Sequence, residues 1–422
     1  MRKYLFLLPV LFLLYGGCVV GQKNVKVNVF AKGFEPEEPS IYINPLDNMN
    51  IIAGANIDNY YYSFDGGKTW EEGKMPGPIV RGDPVVLFDT YGNAYYSHLG
   101  TFEQPGIFLA RSSDGGKTWG NSMRIYGNDI GMPFEDKEWL AFDGTNSPFS
   151  SSLYVSWTQF DKYGSPNPND SSRILFSRST DFGETFSAPI SLSDKGGDAL
   201  DGDSTVEGAV PCVGPSGEVY VAWTGPRGIE FDRSLDGGVT FGEDVFVCEQ
   251  VGGWSYSIPG LFRCNGLPFT ACDISGGEYN GNIYINFSDN RYGDYDVFVV
   301  KSTDGGDTWS DVIRVNDDAQ GNTKDQFMSN FCVDPVSGNI YVLFYDRREH
   351  AGLRTDVYLA VSTDGGETFV NRKISDESFV PTSTVFFGDY IDINSYNDFY
   401  SAIWMRMDGA ELSLMNYTNT LK

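Results

Sequence analysis

From residue 36 to its end the chain is a succession of short apolar runs, most with a polar residue at every second position, separated by Gly, Asn and Asp. Runs 41–45 (IYINP), 51–56 (IIAGAN) and 60–63 (YYYS) open the series. The same triplet recurs at 84–89, 94–99 and 107–112, at 139–143, 153–159 and 174–179, and at 209–214, 218–225 and 229–234. It returns at 269–274, 282–289 and 296–302, and at 329–334, 339–346 and 356–362. Apolar alternation over so few residues, bounded by turn formers, predicts strands. No long helical period competes with it.

Each triplet ends in one octet, written six times: 63–70 (SFDGGKTW), 112–119 (SSDGGKTW), 179–186 (STDFGETF), 234–241 (SLDGGVTF), 302–309 (STDGGDTW) and 362–369 (STDGGETF). The starts lie 49, 67, 55, 68 and 60 residues apart. A strict octet on elastic spacing means one supersecondary unit repeated, with length variation confined to loops. Asp-Gly-Gly supplies positive φ where two strands reverse, and the carboxylate can accept backbone N–H bonds inside the turn. Ser and Thr close further local bonds, and the final aromatic anchors the hairpin by burying its ring. A fourth strand after each octet completes a four-stranded unit.

The octet resembles the Asp box, or bacterial neuraminidase repeat, of the sialidase-like β-propeller superfamily. That resemblance implies a radial propeller whose boxes are structural and lie on the outer rim. The tail repeats the first three strands a seventh time without a box, at 389–394, 399–405 and 412–416. The unpaired alternating run 25–30 (VKVNVF) is then available as the missing outer strand of that unit, which would close the ring and remove exposed edges. The expectation is a seven-bladed, all-β propeller, with a six-bladed ring as the alternative. Its parts are a signal segment over 1–18, a tether and closing strand over 19–35, and one propeller over 36–422.

The N-terminus changes the setting. Arg2 and Lys3 precede an apolar run over 4–15, too short for a stable membrane span, ending in Gly16-Gly17-Cys18. This resembles a bacterial lipoprotein cleavage site, with Tyr15 where Leu is usual. It predicts an exported envelope lipoprotein acylated on Cys18, with plain secretion as the alternative. Of the other five cysteines, Cys248 and Cys264 form the nearest plausible bridge, while Cys212, Cys272 and Cys332 fall in apolar runs and read as buried thiols. The formal charge of −27 makes nucleic acid and anionic lipid surfaces poor partners. The expected partner is an extracellular glycan or glycoconjugate, met by a monomer.

In a propeller the first strand of each blade lines the channel, and the residues leading into it form one mouth. Those residues are Glu38, Arg81 and Asp83, Lys137 and Glu138, Glu207, Asp325, and Asp389 and Tyr390. One reading is that the carboxylates bond free N–H groups of neighbouring strands. The other is an acidic pocket with one carboxyl as acid/base and others positioning a sugar. The superfamily resemblance implies a Tyr nucleophile, a Glu that activates it, an Asp acid/base and three arginines for a carboxylate. By position these are Tyr390, Glu207 and Asp83, with Arg81 and Arg347 as carboxylate readers. Glu138, Asp325 and Asp389 join them as substrate-binding candidates. The Arg-Ile-Pro motif usual for the first sialidase arginine is absent, Ile258-Pro259 following Ser257. Arginines also recur near the ends of second strands (Arg227, Arg291, Arg347, Arg406), which suits a repeated salt-bridge scheme.

His98 and His350 have no spacing suited to zinc or a serine triad. No cofactor is expected. The acidic loops with Asp194, Asp198, Asp201 and Asp203, and with Asp289, Asp294 and Asp296, are candidate calcium loops whose default reading is solvation. Trp254, Tyr256 and Trp404 are candidate sugar-stacking aromatics. The function so read is an exo-acting, sialidase-like glycoside hydrolase, or alternatively a non-catalytic glycan- or protein-binding propeller at the cell surface.

Overall fold

A computed structural model describes residues 23–28, 36–77, 80–127 and 131–421. Seven four-stranded antiparallel sheets follow one another around a ring. Their innermost strands are Ser40–Ile43, Val80–Phe88, Phe134–Phe142, Glu207–Val213, Phe269–Cys272, Gln326–Val333 and Asp392–Tyr396. These define blades 1 to 7 in chain order, and no helix occurs among the described residues. The protein is a seven-bladed β-propeller.

The ring closes as the tail repeat predicts. Val25–Lys26 pairs antiparallel with Glu411–Thr420, Val25 opposite Asn416 and Lys26 opposite Met415. Val27 N donates to Leu414 O at 2.9 Å, and Leu414 N donates to Asn28 Oδ1 at 3.0 Å. Blade 7 is thus built from both chain ends, so neither edge of the ring is left open. Residues 29 and 30 of the closing run lie outside the described residues, as do residues 1–18, expected to be a signal segment ending at Cys18.

Every box forms the same turn between the third and fourth strands. In blade 5, Ser302 Oγ donates to Asp304 Oδ1 at 2.8 Å and accepts Gly306 N at 2.8 Å. Thr308 gives Asp304 both its N–H (2.9 Å) and its hydroxyl (2.6 Å). Gly305 and Gly306 have φ of 76° and 93°, and a Cβ on Gly306 would come within 2.3 Å of the Phe231 ring in blade 4. Glycine is required there for both conformation and close approach.

The boxes also tie neighbouring blades together. The residue before the box serine reaches the next box: Arg111 Nη1 to Phe182 O at 3.2 Å, Arg178 Nη1 to Gly237 O at 2.9 Å, Arg233 Nη1 to Gly305 O at 2.5 Å, and Lys301 Nζ to Gly365 O at 3.0 Å. Between blades the core is aromatic, with Trp157, Trp223, Trp404, Tyr95, Tyr154 and Tyr345 fully buried. Each such ring contributes about 2–3 kcal/mol of apolar burial.

The five described cysteines are unpaired, so Cys248 and Cys264 form no bridge. Cys248 lies in the outer strand Val245–Cys248, whereas Cys264 is buried in a separate hairpin, Ser255–Tyr256 with Cys264–Asn265, inserted between blades 4 and 5. The recurrent arginines pair locally: Arg227 with Glu230, Arg291 with Asp289 and Arg406 with Asp408. In blade 6 the neighbouring Arg348 takes that role, on Asp346.

Candidate functional site

The inner strands do not enter the channel straight. A bulge interrupts pairing between Gly82 and Val85, Asp136 and Trp139, Glu207 and Val210, and Phe327 and Asn330. At each bulge one residue adopts positive φ: Asp83 (55°), Lys137 (51°), Gly208 (74°) and Met328 (52°), while Glu38 (54°) does so just before blade 1. Three of these are charged, non-glycine residues in a conformation that costs energy. A bulge of this kind re-aims a side chain, and strain held at several equivalent positions marks a site.

The bulged ends of blades 2, 3 and 4 border a cavity of about 310 Å³ at one mouth of the channel. Glu38, Arg81, Asp83, Asp136, Lys137, Glu207 and Asp389 line it from the inner-strand ends, and Asn56, Tyr163, Asp201, Trp254, Arg263 and Asn265 from loops. A larger cavity, about 590 Å³, occupies the opposite half of the channel and is mostly apolar, with Ile41, Val86, Phe269, Cys212, Cys272 and Cys332 among its walls.

Two carboxyl pairs organise the smaller cavity. Glu38 lies against Asp83 and shares a hydrogen bond with it. Glu38 accepts Asn56 Nδ2 on Oε2 and Asp389 N on Oε1 at 3.1 Å, while Asn56 Oδ1 accepts Asp83 N at 2.7 Å. Burial, followed by the charges of Asp83 and Asp389, pushes the Glu38 carboxyl well above the usual range. Asp83 is raised by burial too, although Lys137 and the bond from Glu38 pull it back. Glu38 therefore holds the proton of the pair.

Opposite them, Glu207 lies against Asp201. Burial, then the charges of Asp201, Asp136 and Asp389, raise Glu207 strongly, so it is the proton donor in that contact. Asp201 also accepts the Tyr163 hydroxyl and has Arg263 Nη1 at 3.8 Å. Burial and then that bond raise Tyr163, keeping its hydroxyl protonated at rest. Asp136 is likewise raised by burial and by Asp83 and Asp201.

Three cations face these acids. Arg263, on the inserted hairpin, grips Asp389 with both Nε (2.9 Å to Oδ1) and Nη2. Arg81 lies 4.0 Å from the Phe102 ring centroid and 5.1 Å from that of Phe134. Lys137 is 7 % exposed, and its Nζ has no hydrogen-bond partner among the described residues. That ammonium sits 3.9 Å from the Tyr390 centroid, 4.7 Å from Trp139 and 5.6 Å from Phe269, an aromatic cage. Burial lowers the Lys137 amine, while Asp83, Glu38 and Asp389 pull it up.

The structure brings Arg81, Asp83, Glu207 and Asp389 to the one cavity and leaves four expected site residues outside its wall. Tyr390 is packed under Lys137, its hydroxyl donating to Pro84 O at 3.4 Å, because the cage needs its ring. Glu138 is 1 % exposed and lies outside that wall, its two carboxyl oxygens without a hydrogen-bond partner among the described residues. Arg347 gives Nε to Thr355 Oγ1 at 3.1 Å and lies over Phe327. Asp325 accepts Tyr295 N at 3.3 Å, joining blades 5 and 6. Tyr163 and Arg263 were not legible as site residues, having no repeated position to single them out, whereas Asp136 stands at the head of an inner strand beside Lys137, a position that itself was the available signal. Trp254 lines the wall as a rim aromatic should, whereas Tyr256 bonds Ser288 in the core and Trp404 is fully buried.

Among the described residues no group of three or more His, Cys, Asp or Glu is arranged to hold a metal ion. In the candidate calcium loops the carboxylates have protein partners: Asp194 accepts Asp244 N, Asp198 accepts the Thr205 hydroxyl, Asp203 accepts Ser255 N, and Asp296 pairs with Arg314.

A family model described as BNR/Asp-box repeat matches residues 61–72. A sialidase of Bacteroides fragilis (strain YCH46) is 23% identical over 321 residues, 70% of this chain and 54% of that protein. The chain thus spans about half the length of that relative. Among solved structures, an ulvan lyase, a polysaccharide lyase, superposes with a TM-score of 0.52 at 14% identity, over 93% of this chain and 95% of the other. A protein of unknown function from Dyadobacter fermentans DSM 18053 gives 0.51 at 13% identity, over 96% and 98%. The chain is thus a seven-bladed β-propeller that carries Asp boxes and is similar in sequence to a sialidase.

Proposed function

We propose that the protein is an exported, envelope-anchored glycoside hydrolase that removes a terminal sugar from an extracellular glycan. The observation that carries the reading is a tyrosine hydroxyl bonded to a carboxylate, Tyr163 to Asp201, in the same cavity as a proton-sharing carboxyl pair, Glu38 with Asp83. A nucleophile within hydrogen-bond reach of its base, facing a proton donor, is what a two-step glycosyl transfer needs. Tyr163 Oη attacks the anomeric carbon as its proton passes to Asp201. The Asp83–Glu38 pair protonates the departing glycosidic oxygen, then takes a proton from the water that attacks the same carbon, while the bond to Tyr163 Oη breaks and Asp201 returns its proton to that oxygen. Glu207 steadies Asp201 by donating to it. The small cavity suits one sugar ring, with Trp254 as an apolar wall.

A screen of protein lacking residues 1–18 against aryl glycosides and complex glycans tests this. Release of a sugar that is abolished in Asp83→Asn and Tyr163→Phe supports it. A screen without turnover sinks it. The alternative, a binding module, draws on the closed Arg263–Asp389 pair and on the amide contacts that engage Glu38. Binding by wild type and Asp83→Asn alike, with turnover by neither, would favour that alternative.

A further inference from the structure

We propose that Lys137 is the residue by which the cavity selects its sugar: its ammonium donates to one free hydroxyl of the glycosyl unit, and that hydroxyl donates onward to a carboxyl group of the same wall. The inference rests on the reading of the cavity as a sugar site and assigns its specificity to one residue.

Lys137 stands where a glycine would be unstrained. It has φ of 51° at the blade 3 bulge, and at the blade 4 bulge Gly208 holds the same region at 74°. The backbone there gives no reason for a long side chain; what the bulge delivers is an ammonium. Trp139 meets both Tyr390 and Phe269 edge-on, with centroids 5.7 and 5.1 Å away, so the three rings of the cage form one continuous surface against Nζ. Trp139 and Phe269 face the larger apolar cavity. The rings therefore shut the ammonium off from that half of the channel, and its open side is the small cavity, whose wall it lines.

An aromatic face attracts the charge but supplies no lone pair. The half-buried Lys301 and Lys324 each have an oxygen, Gly365 O at 3.0 Å and His350 O at 2.5 Å. Lys137 Nζ is buried with none among the described residues. A buried donor left unpaired is costly, so its acceptor comes from what fills the cavity. Glu38, Asp83 and Asp389 share the wall with it. A group seated between an ammonium and a carboxyl has to accept on one side and donate on the other. A hydroxyl does both, whereas an ether oxygen only accepts. Whichever oxygen of such a carboxyl carries a proton, the other still accepts, so the arrangement holds for either form.

Calorimetry should compare methyl glycosides of galactose, mannose, fucose, N-acetylglucosamine and N-acetylneuraminic acid, then the monodeoxy series of the tightest binder. In the wild type, loss of one particular hydroxyl should weaken binding about 10-fold or more. Lys137→Met keeps the stem without the donors, and loss of the same hydroxyl should then cost about twofold or less. Lys137→Arg, which moves the donors, should reduce the wild-type preference about threefold or more. It decides the matter if Lys137→Met is unfolded by its melting curve or binds too weakly to measure. A merely structural lysine would weaken the parent glycoside in both variants and leave the hydroxyl preference as it was. That result overturns the inference, as does a wild type in which no single hydroxyl matters by the stated factor. Hydroxyl-dependent binding through Lys137 without turnover of any aryl glycoside overturns the hydrolase reading alone. Turnover without the coupling overturns this inference alone, and no glycoside bound overturns both.

Discussion

Tyr163 donates its hydroxyl proton to Asp201, a residue 38 positions further along the chain, and the bond sits in the wall of the acidic cavity. Tyr163→Phe keeps the ring, which packs on Phe134 and Phe160 at 5.1 Å, and removes only the hydroxyl. Turnover should fall at least 10²-fold with KM changed less than threefold. Asp201→Asn should lose a comparable factor. An unchanged kcat in Tyr163→Phe would remove this tyrosine from the chemistry.

The Glu38–Asp83 pair sets the expected pH dependence. Burial raises both carboxyls, so the shared proton persists above the usual carboxyl range and is lost as pH rises through the raised value. The kcat/KM profile should therefore fall on its alkaline limb as that proton leaves. Glu38→Gln should displace or abolish the limb while the protein remains folded. A profile with the same limb in Glu38→Gln would assign it to another group.

Glu135 stands in the inner strand of blade 3, accepting Trp157 Nε1 at 2.6 Å and Gln159 Nε2 at 3.0 Å. Burial raises its carboxyl to about 7, that of Asp392 to about 7 and that of Asp346 to about 6. Each favours the protonated form when folded. Their stabilisation is complete below the ordinary carboxyl range and is lost as pH rises through 6 to 7. The box carboxylates act in the other sense. Hydrogen bonds from the Thr185 and Thr308 hydroxyls and N–H groups hold Asp181 and Asp304 down to about 2, a contribution lost only as pH falls below the ordinary range toward 2. Maximum Tm should lie near pH 5, with a fall of several degrees by pH 8, and Glu135→Gln should flatten that fall. A Tm rising from pH 5 to 8 would contradict this.

Arg233 spans from blade 4 to the box of blade 5, bonding Gly305 O and Asp307 at 2.5 Å each. Arg233→Ala should destabilise by about 1 kcal/mol, since Asp307 is exposed and the carbonyl contact is the durable part. In a protein of this size that is about 1–2 °C in Tm. Arg233→Lys should recover part of it, as Lys301 fills the same place one blade on. Equal losses in Arg233→Ala and Arg233→Lys would show that only the guanidinium fork serves.

Much of the ring was readable because its signals are local. Apolar alternation between turn formers marks strands, and the octet marks one hairpin whose partners lie within eight residues. The seventh, boxless unit and the run beginning at Val25 together implied closure by the two chain ends, which the Val25–Asn416 pairing realises. Position at the head of an inner strand was enough to nominate Asp83, Glu207 and Asp389, because all blades converge on one axis.

What sequence could not decide was which side chains face that axis and which loops fold over it. The bulges at Asp83 and Lys137 break the strand register, and Lys137 lines the cavity while Glu138, the next residue, does not. Tyr163, Asp201 and Arg263 arrive on insertions whose lengths follow no repeat, and only the closed ring places them together. Protonation is likewise a tertiary property. The Glu38 and Glu207 carboxyls are pushed well above their usual range because folding strips their water and sets other carboxylates beside them, a condition that linear order does not encode.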